Sequence, residues 1–179
     1  MIEKPDEYFM NRVKNGDLAA MAELFERYHV RIYNFMLKLT FDKSVSQDLT
    51  QNLFYRIIKY RHTYNSDHSF KSWIFRMARN IHIDYCRQQQ KVSEQFKQVE
   101  EYDMNIGEET SAYDEEDYER LDMAFERLNP DQKEIIILSR FQKLKYEEIS
   151  CIKDISVPSI KVQMHRAIKQ LKEYYFKLT

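Results

Sequence analysis

Glycine and proline are scarce in this chain, two and three among 179 residues, so few helix breakers interrupt it and it is expected to be nearly all helix. Cysteine is almost absent too. Cys86 and Cys151 are too few for a disulfide framework and match no zinc spacing, which makes a reducing cytosol the expected setting. No window reaches the roughly 18 apolar residues of a membrane span, and the opening MIEKPDEYF has no apolar core for a signal peptide. A cytoplasmic protein without a membrane span is therefore expected. There is no glycine-rich phosphate loop and no nucleophile–base pair at a defined spacing, so nothing favours an enzyme, and no cofactor is expected. His82 and Cys86 lie four apart, a spacing that can form one edge of a metal site. With neither a CxxC nor an HExxH pattern in the chain, no metal is expected either.

A net charge of −1 would make a poor polyanion ligand, yet the charge is unevenly divided. Residues 1–90 hold 14 basic against 10 acidic side chains, residues 91–120 hold 3 against 11, and residues 121–179 hold 11 against 8. Two basic ends thus flank an acidic middle, and it is this distribution that bears on nucleic-acid binding. The acidic stretch, about 91–117, has no helical stripe and is expected to be a flexible, solvated linker. It serves as a spacer or as an occupant of a channel built for nucleic acid. The expectation is two small helical domains, 1–90 and 118–179, on either side of it.

The stretch YEEISCIKDISVPSIKVQMHRAIKQLK, residues 146–172, is the most informative. Tyr146, Ile149 and Ile152 place one face of a short helix inward, Lys153-Asp154-Ile155 is a tight turn, and Ser156 is an N-cap with Pro158 in the first turn that follows. Val157, Ile160, Met164, Ala167 or Ile168, and Leu171 form the inward stripe of a second helix. Its outward set is Ser159, Lys161, Val162, Gln163, His165, Arg166, Lys169 and Lys172. Uncharged groups followed by cations on the second helix of such a pair fit a helix-turn-helix, whose second helix enters the major groove N-terminus first. The alternative is an ordinary antiparallel helix pair. The turn position that often carries glycine is here Asp154, a residue that accepts a left-handed backbone less readily.

Earlier in the chain, Phe9 and Val13 mark a short helix ending at Gly16, Asp17 is a candidate cap, and Met21, Leu24, Tyr28, Ile32, Phe35 and Leu39 mark a long amphipathic one. Ser44-Val45-Ser46-Gln47 reads as a capping box for a helix to about Arg61, with Val45, Leu49, Leu53, Ile57 and Tyr60 inward. Asp48, Gln51, Asn52 and Phe54 lie off that stripe, either as a docking patch for a partner protein or as an ordinary surface with one exposed ring. RHTYNSDHS, residues 61–69, is a polar loop, and Ser69 caps the next helix. There Phe70, Ile74, Met77, Ala78 and Ile81 face the core. Lys71, Trp73, Arg76, Arg79, Asn80, Asp84 and Arg87 lie off that face. Rings among cations suit single-stranded nucleic acid, and the competing reading puts Trp73 in the core above a solvated face. Asp84 can pair with Arg87. Tyr118, Leu121, Phe125 and Leu128 begin the C-terminal domain, and Asn129-Pro130-Asp131-Gln132 is a strong helix start before Ile135, Ile136, Leu138 and Phe141. These helices and the helix-turn-helix would make a four-helix domain.

QDLTQNLF, a polar loop, FKSWIFRMARNIHIDYCR, an acidic linker, LNPDQKEIIILSRFQKLKYEEIS and ISVPSIKVQMHRAIKQL, in that order over about residues 8–175, resemble the extracytoplasmic-function (ECF) sigma factors of bacterial RNA polymerase. Gln47 and Asn52, where the family often has acids, and Asp154, in place of the turn glycine, depart from its pattern. The resemblance implies an all-α, two-domain transcription initiation factor with no catalytic residues. Asp48, Gln51 and Phe54 would dock on core RNA polymerase. Tyr64, Asn65, Asp67 and His68 would take a base flipped from the minus-ten element, and Trp73, Arg76, Asn80 and Arg87 would hold the melted non-template strand. The helix from Ser156 to Lys169, with Pro158, Ser159, Lys161, Val162, Gln163, His165 and Arg166 between, would read duplex promoter DNA at minus thirty-five. An anti-sigma factor is the further partner it admits. The rival reading from the residues alone is a free-standing helix-turn-helix regulator that binds an operator without polymerase.

Overall fold

The computed structural model describes residues 4–95 and 115–177, and these divide into two compact all-helical units that fall within Met1–Tyr102 and Asp103–Thr179. Most of the expected linker, 91–117, lies outside the described residues. At its two ends the described chain is helical.

The N-terminal unit contains α1 (Asp6–Lys14), α2 (Met21–Thr40), α3 (Lys43–Lys59) and α4 (Phe70–Gln95). Asp6 and Glu7 occupy the positive first turn of α1 and Arg12 and Lys14 its last, the charge order that a helix dipole favours. Gly16 follows at φ +100°, a backbone conformation that glycine adopts without penalty. Asp17 does not cap the next helix, contrary to expectation. Its carboxylate takes the Arg12 guanidinium instead, and a 3₁₀ turn, Leu18–Ala20, leads into α2.

Phe41, left-handed at φ 57°, ends α2, and the extended Asp42 accepts from the Val45 amide (2.9 Å) to start α3. The cap is therefore Asp42 rather than Ser44, and the helix begins at Lys43. The buried face of α3 turns with it: Ser46, Leu49, Thr50, Leu53, Phe54 and Ile57 are inside, whereas Tyr60 is exposed. Packing against both α2 and α4 requires a stripe broader than the narrow one the spacing marks. On α4 the core side is Phe70, Ile74, Phe75, Ala78 and Ile81. Phe75, missed in the sequence, meets Phe35 edge-on at 5.5 Å.

The C-terminal unit contains α5 (Glu115–Glu126), α6 (Pro130–Ile136), α7 (Tyr146–Lys153) and α8 (Val157–Lys177), the expected four-helix arrangement. Asn129 and Gln132 form the capping box that their spacing predicts. Beyond α6 the helix widens into a π turn, Ile137–Phe141, closed by the Gln142 amide on the Ile137 carbonyl at 2.9 Å. This extra residue per turn rotates the side chains that follow. Ile137 and Leu138 are buried, and Phe141, expected inside, is 48% exposed beside Phe125. Phe125 and Leu128 fill the core as predicted, but Tyr118 and Leu121 do not. They line an open groove of about 710 Å³ with Ile168, Leu171 and Phe176 of α8.

Candidate nucleic-acid and polymerase interface

The α7–α8 pair is built by local chemistry. The Lys145 amide donates to Glu148 Oε2 at the start of α7 (2.7 Å), and Asp154 at φ 57° ends it in the left-handed conformation usually given to glycine. The side chain of Ser150 then donates to the Ile155 carbonyl and closes the turn. Substituting Asp154→Gly removes the Cβ penalty and is expected to raise the stability of this unit by about 0.5–1 kcal/mol, read as a higher urea midpoint at unchanged slope.

Ser156 Oγ accepts from the Ser159 amide at a long 3.4 Å and bonds the Ser159 hydroxyl at 3.0 Å, so the cap is present but weak. Ile160, Met164 and Ala167 are buried. Ser159, Lys161, Val162, His165, Arg166 and Lys169 are exposed, as the spacing predicts, and so are Ser156 and Pro158. Gln163 departs from that expectation: three residues after Ile160 and four before Ala167, it sits at the edge of the buried stripe with Oε1 enclosed and unpartnered. Lys161, Arg166, Lys169 and Lys172 make no ion pair within the described residues, so their charge is available to an external anion.

In the N-terminal unit a 3₁₀ turn, Arg61–Thr63, leads to Tyr64, which is 1% exposed and packs edge-on against Trp73 (5.3 Å) and Phe70 (6.1 Å). Tyr64 is thus an anchor of the loop and not part of an open pocket. Burial, helped by the nearby Glu7 and Asp6 carboxylates, pushes its hydroxyl up to about 12. That hydroxyl donates to the His68 carbonyl (3.1 Å), the Asn65 carboxamide accepts from the Asp67 amide (3.1 Å), and the Asn65 carbonyl accepts from the His68 amide (3.2 Å). The result is a closed turn that leaves Asn65, Ser66, Asp67 and His68 exposed. Ser69 Oγ accepts from the Ser72 amide at 3.1 Å and caps α4 as expected.

Trp73, Arg76, Asn80 and Arg87 fall on one stripe of α4, with Trp73 half-buried and the other three exposed. Trp73 therefore packs in the aromatic cluster and stays partly exposed. Asp84 shares this stripe, but its ion partner is Arg56 of α3 (3.6 Å) rather than Arg87. Arg56 offsets the one acid in a row otherwise fit for a polyanion, a role the sequence could not reveal because the pair crosses two helices. Cys86 Sγ lies 3.5 Å from His82 Nε2, and burial raises its thiol pKa. No cluster of three metal-ligating side chains occurs among the described residues.

On α3, Asp48 and Gln51 are exposed as expected, but Phe54 is 7% exposed and lies beneath Phe25 of α2 (4.8 Å). Phe25, 42% exposed and stacked on His29 at 4.7 Å, is the outward ring of this patch. The sequence signal for it is its place off the stripe of Met21, Leu24 and Tyr28.

The family description Sigma-70 region 2 matches residues 24–92, and Sigma-70, region 4 matches residues 118–171. The chain is 26% identical to the ECF RNA polymerase sigma factor SigX of Bacillus subtilis (strain 168) over 84% of its own length and 81% of that protein. Its fold resembles that of the sigma factor RpoE in a co-crystal structure with the anti-sigma factor NepR from Bartonella quintana, with a TM-score of 0.73, 20% identity and coverage of 86% of this chain and 95% of that one. The ECF RNA polymerase sigma factor SigM of Bacillus subtilis (strain 168) is 33% identical over 86% of this chain and 93% of that protein. With both regions present in this order and SigM matched over nearly its whole length, the chain belongs to the ECF family of RNA polymerase sigma factors.

Proposed function

We propose that, within the family's function of binding RNA polymerase and directing promoter-specific transcription, this chain divides the work between its two units. Residues 1–90 dock on core polymerase and capture the minus-ten element, and residues 118–179 read the minus-thirty-five element. The observation that carries the reading is the row of unpaired cations, Lys161, Arg166, Lys169 and Lys172, along the exposed side of the second helix of a helix-turn-helix. Ser156, Pro158, Ser159, Lys161 and Val162 at its N-terminal end would face base edges, and His165, Arg166 and Lys169 the phosphates.

In the other unit, Asn65, Asp67 and His68 would meet a flipped base, and Trp73, Arg76, Asn80 and Arg87 the opened non-template strand. Stacking contributes roughly 1–3 kcal/mol per base and offsets the few kcal/mol of unstacking. Asp48 and Gln51 would contact polymerase. Phe25 would supply the outward ring there, with Phe54 as its support. Because both units share one chain, docking of one makes the contact of the other intramolecular. An anti-sigma factor is a further partner in this reading, by likeness to the Bartonella protein.

The test is runoff transcription on promoter fragments with core polymerase, with and without the chain. Transcripts that depend on the chain are expected. Tight binding of the purified chain to a duplex operator without polymerase, and no stimulated transcript, would instead favour a free-standing regulator. Arg166→Ala is expected to weaken upstream DNA contact and to reduce the magnitude of the salt slope by about 1, without loss of polymerase capture. Trp73→Ala should lower open-complex formation, read by permanganate reactivity, more than closed-complex footprints.

A further inference from the structure

The loop between α3 and α4 is held at both ends by a helix from elsewhere in the chain. Lys14 Nζ, in the last turn of α1, donates to the Tyr64 carbonyl at 2.7 Å, across 50 residues of sequence. Glu7 Oε1, in the first turn of α1, accepts from the Phe70 amide at 2.9 Å, across 63 residues. The first bond lies where the exposed turn begins, the second where α4 starts. Both engage backbone groups, so they fix the path of the chain rather than the rotamer of one side chain. A carboxylate on the first amide of α4 also suits the positive end of that helix. Between the two attachments the turn is closed on itself by Asn65, Asp67 and the Tyr64 hydroxyl. The two α1 contacts therefore bracket that closed turn.

We propose that Glu7 and Lys14 are positioning residues for minus-ten recognition, setting the direction in which Asn65, Asp67 and His68 are presented to DNA. This rests on the reading of that turn as the base-capturing element. Helix α1 lies outside the matched region 2, which begins at residue 24, so the match itself assigns it no part. The helix does not depend on these two contacts for its own place. Met10 and Val13 are fully buried beneath it, and Asp6 accepts from Arg27 Nη1 (2.9 Å) and from the Tyr28 hydroxyl. Loss of Glu7 or Lys14 should thus loosen the backbone at the loop ends, where the Tyr64 and Phe70 rings stay buried, while leaving α1 docked.

The experiment uses the full chain with core polymerase on a promoter set in which each minus-ten base is varied in turn. Its readout is the ratio of transcript from the preferred base to the others. Lys14→Met keeps the aliphatic stem and removes the donor, and Glu7→Leu removes the acceptor. Each is expected to flatten the ratio by about tenfold, the scale on which a single mismatched base pair is resolved. Lys14→Arg and Glu7→Gln, which keep a donor and an acceptor, should restore most of it. Asn65→Ala and Asp67→Ala are run beside them. If these loop variants flatten the ratio while Lys14→Met and Glu7→Leu leave it intact, the positioning role is overturned and base capture stands. If the loop variants also leave it intact, base capture itself fails. Failure of both conservative variants to restore the ratio, with their folding confirmed by circular dichroism, would likewise overturn the positioning role.

Discussion

Lys153→Ala is expected to destabilise the C-terminal unit by about 3–5 kcal/mol, enough to abolish duplex binding by a domain of this size. Lys153 ends α7, and its side chain is 4% exposed. Its ammonium is bound to Glu134 of α6, itself 9% exposed, and lies 3.2 Å from Asp131 Oδ1. Truncation would take the Lys153 ammonium away from the buried Glu134 carboxylate, and the offset that this cation gives to the desolvation cost would be lost. Asp131, at 81% exposure, is the contrasting partner, and Asp131→Ala should cost about 1 kcal/mol or less. Replacing both members of the buried pair, Lys153→Met with Glu134→Leu, should recover most of the loss, because two apolar groups need no compensation. Urea denaturation of the parent chain, Lys153→Met, Glu134→Leu and the double variant gives the cycle. A single-variant loss under about 1 kcal/mol would mean that water reaches the pair.

The second large effect is expected at Tyr64. Removal of a buried ring costs about 3–5 kcal/mol, whereas removal of one neutral hydrogen bond costs about 1 kcal/mol. Tyr64→Ala should accordingly unfold much of the N-terminal unit, and Tyr64→Phe should lose only the bond to the His68 carbonyl. Asn65→Ala should lose only the exposed bond to the Asp67 amide, about 1 kcal/mol or less, and exposed Asp67 should be nearly neutral on substitution. Thermal unfolding followed by Trp73 fluorescence separates these cases, since Trp73 touches the Tyr64 ring. The raised hydroxyl adds a pH dependence with a definite sign. The folded state holds this proton more tightly than the unfolded chain, so its contribution is complete below 10.0 and is lost as pH rises toward about 12. Tyr28, whose buried hydroxyl donates to Asp6, is shifted in the same direction and adds to the same loss. A Tyr64→Phe variant should show a shallower decline over that window.

These cases also mark how far the residues alone could be followed. The helix-turn-helix was legible because its signals are local: a three-and-four stripe, a three-residue turn, and a serine before proline. The capping box at Asn129 was legible for the same reason. Asp154 was legible as a turn, and the structure adds that it takes the left-handed angle without glycine. By contrast, Phe54 was expected outside and is inside, with Phe25 as the exposed ring above it. Phe141 was expected inside, and the π turn puts it outside. Tyr64, placed in the base pocket by family resemblance, supports that loop from within. In each case the residue type was informative and its direction was not.

The order of the helices, the two basic ends with an acidic middle, and the cationic side of the last helix follow from sequence, because caps, breakers and periodic stripes act over one or two turns. Which ring faces solvent, which acid finds Arg56, and which side chains of the first helix hold a loop 50 and 63 residues away were decided only by packing. A helix carries several candidate faces, and only the surfaces that meet it select among them.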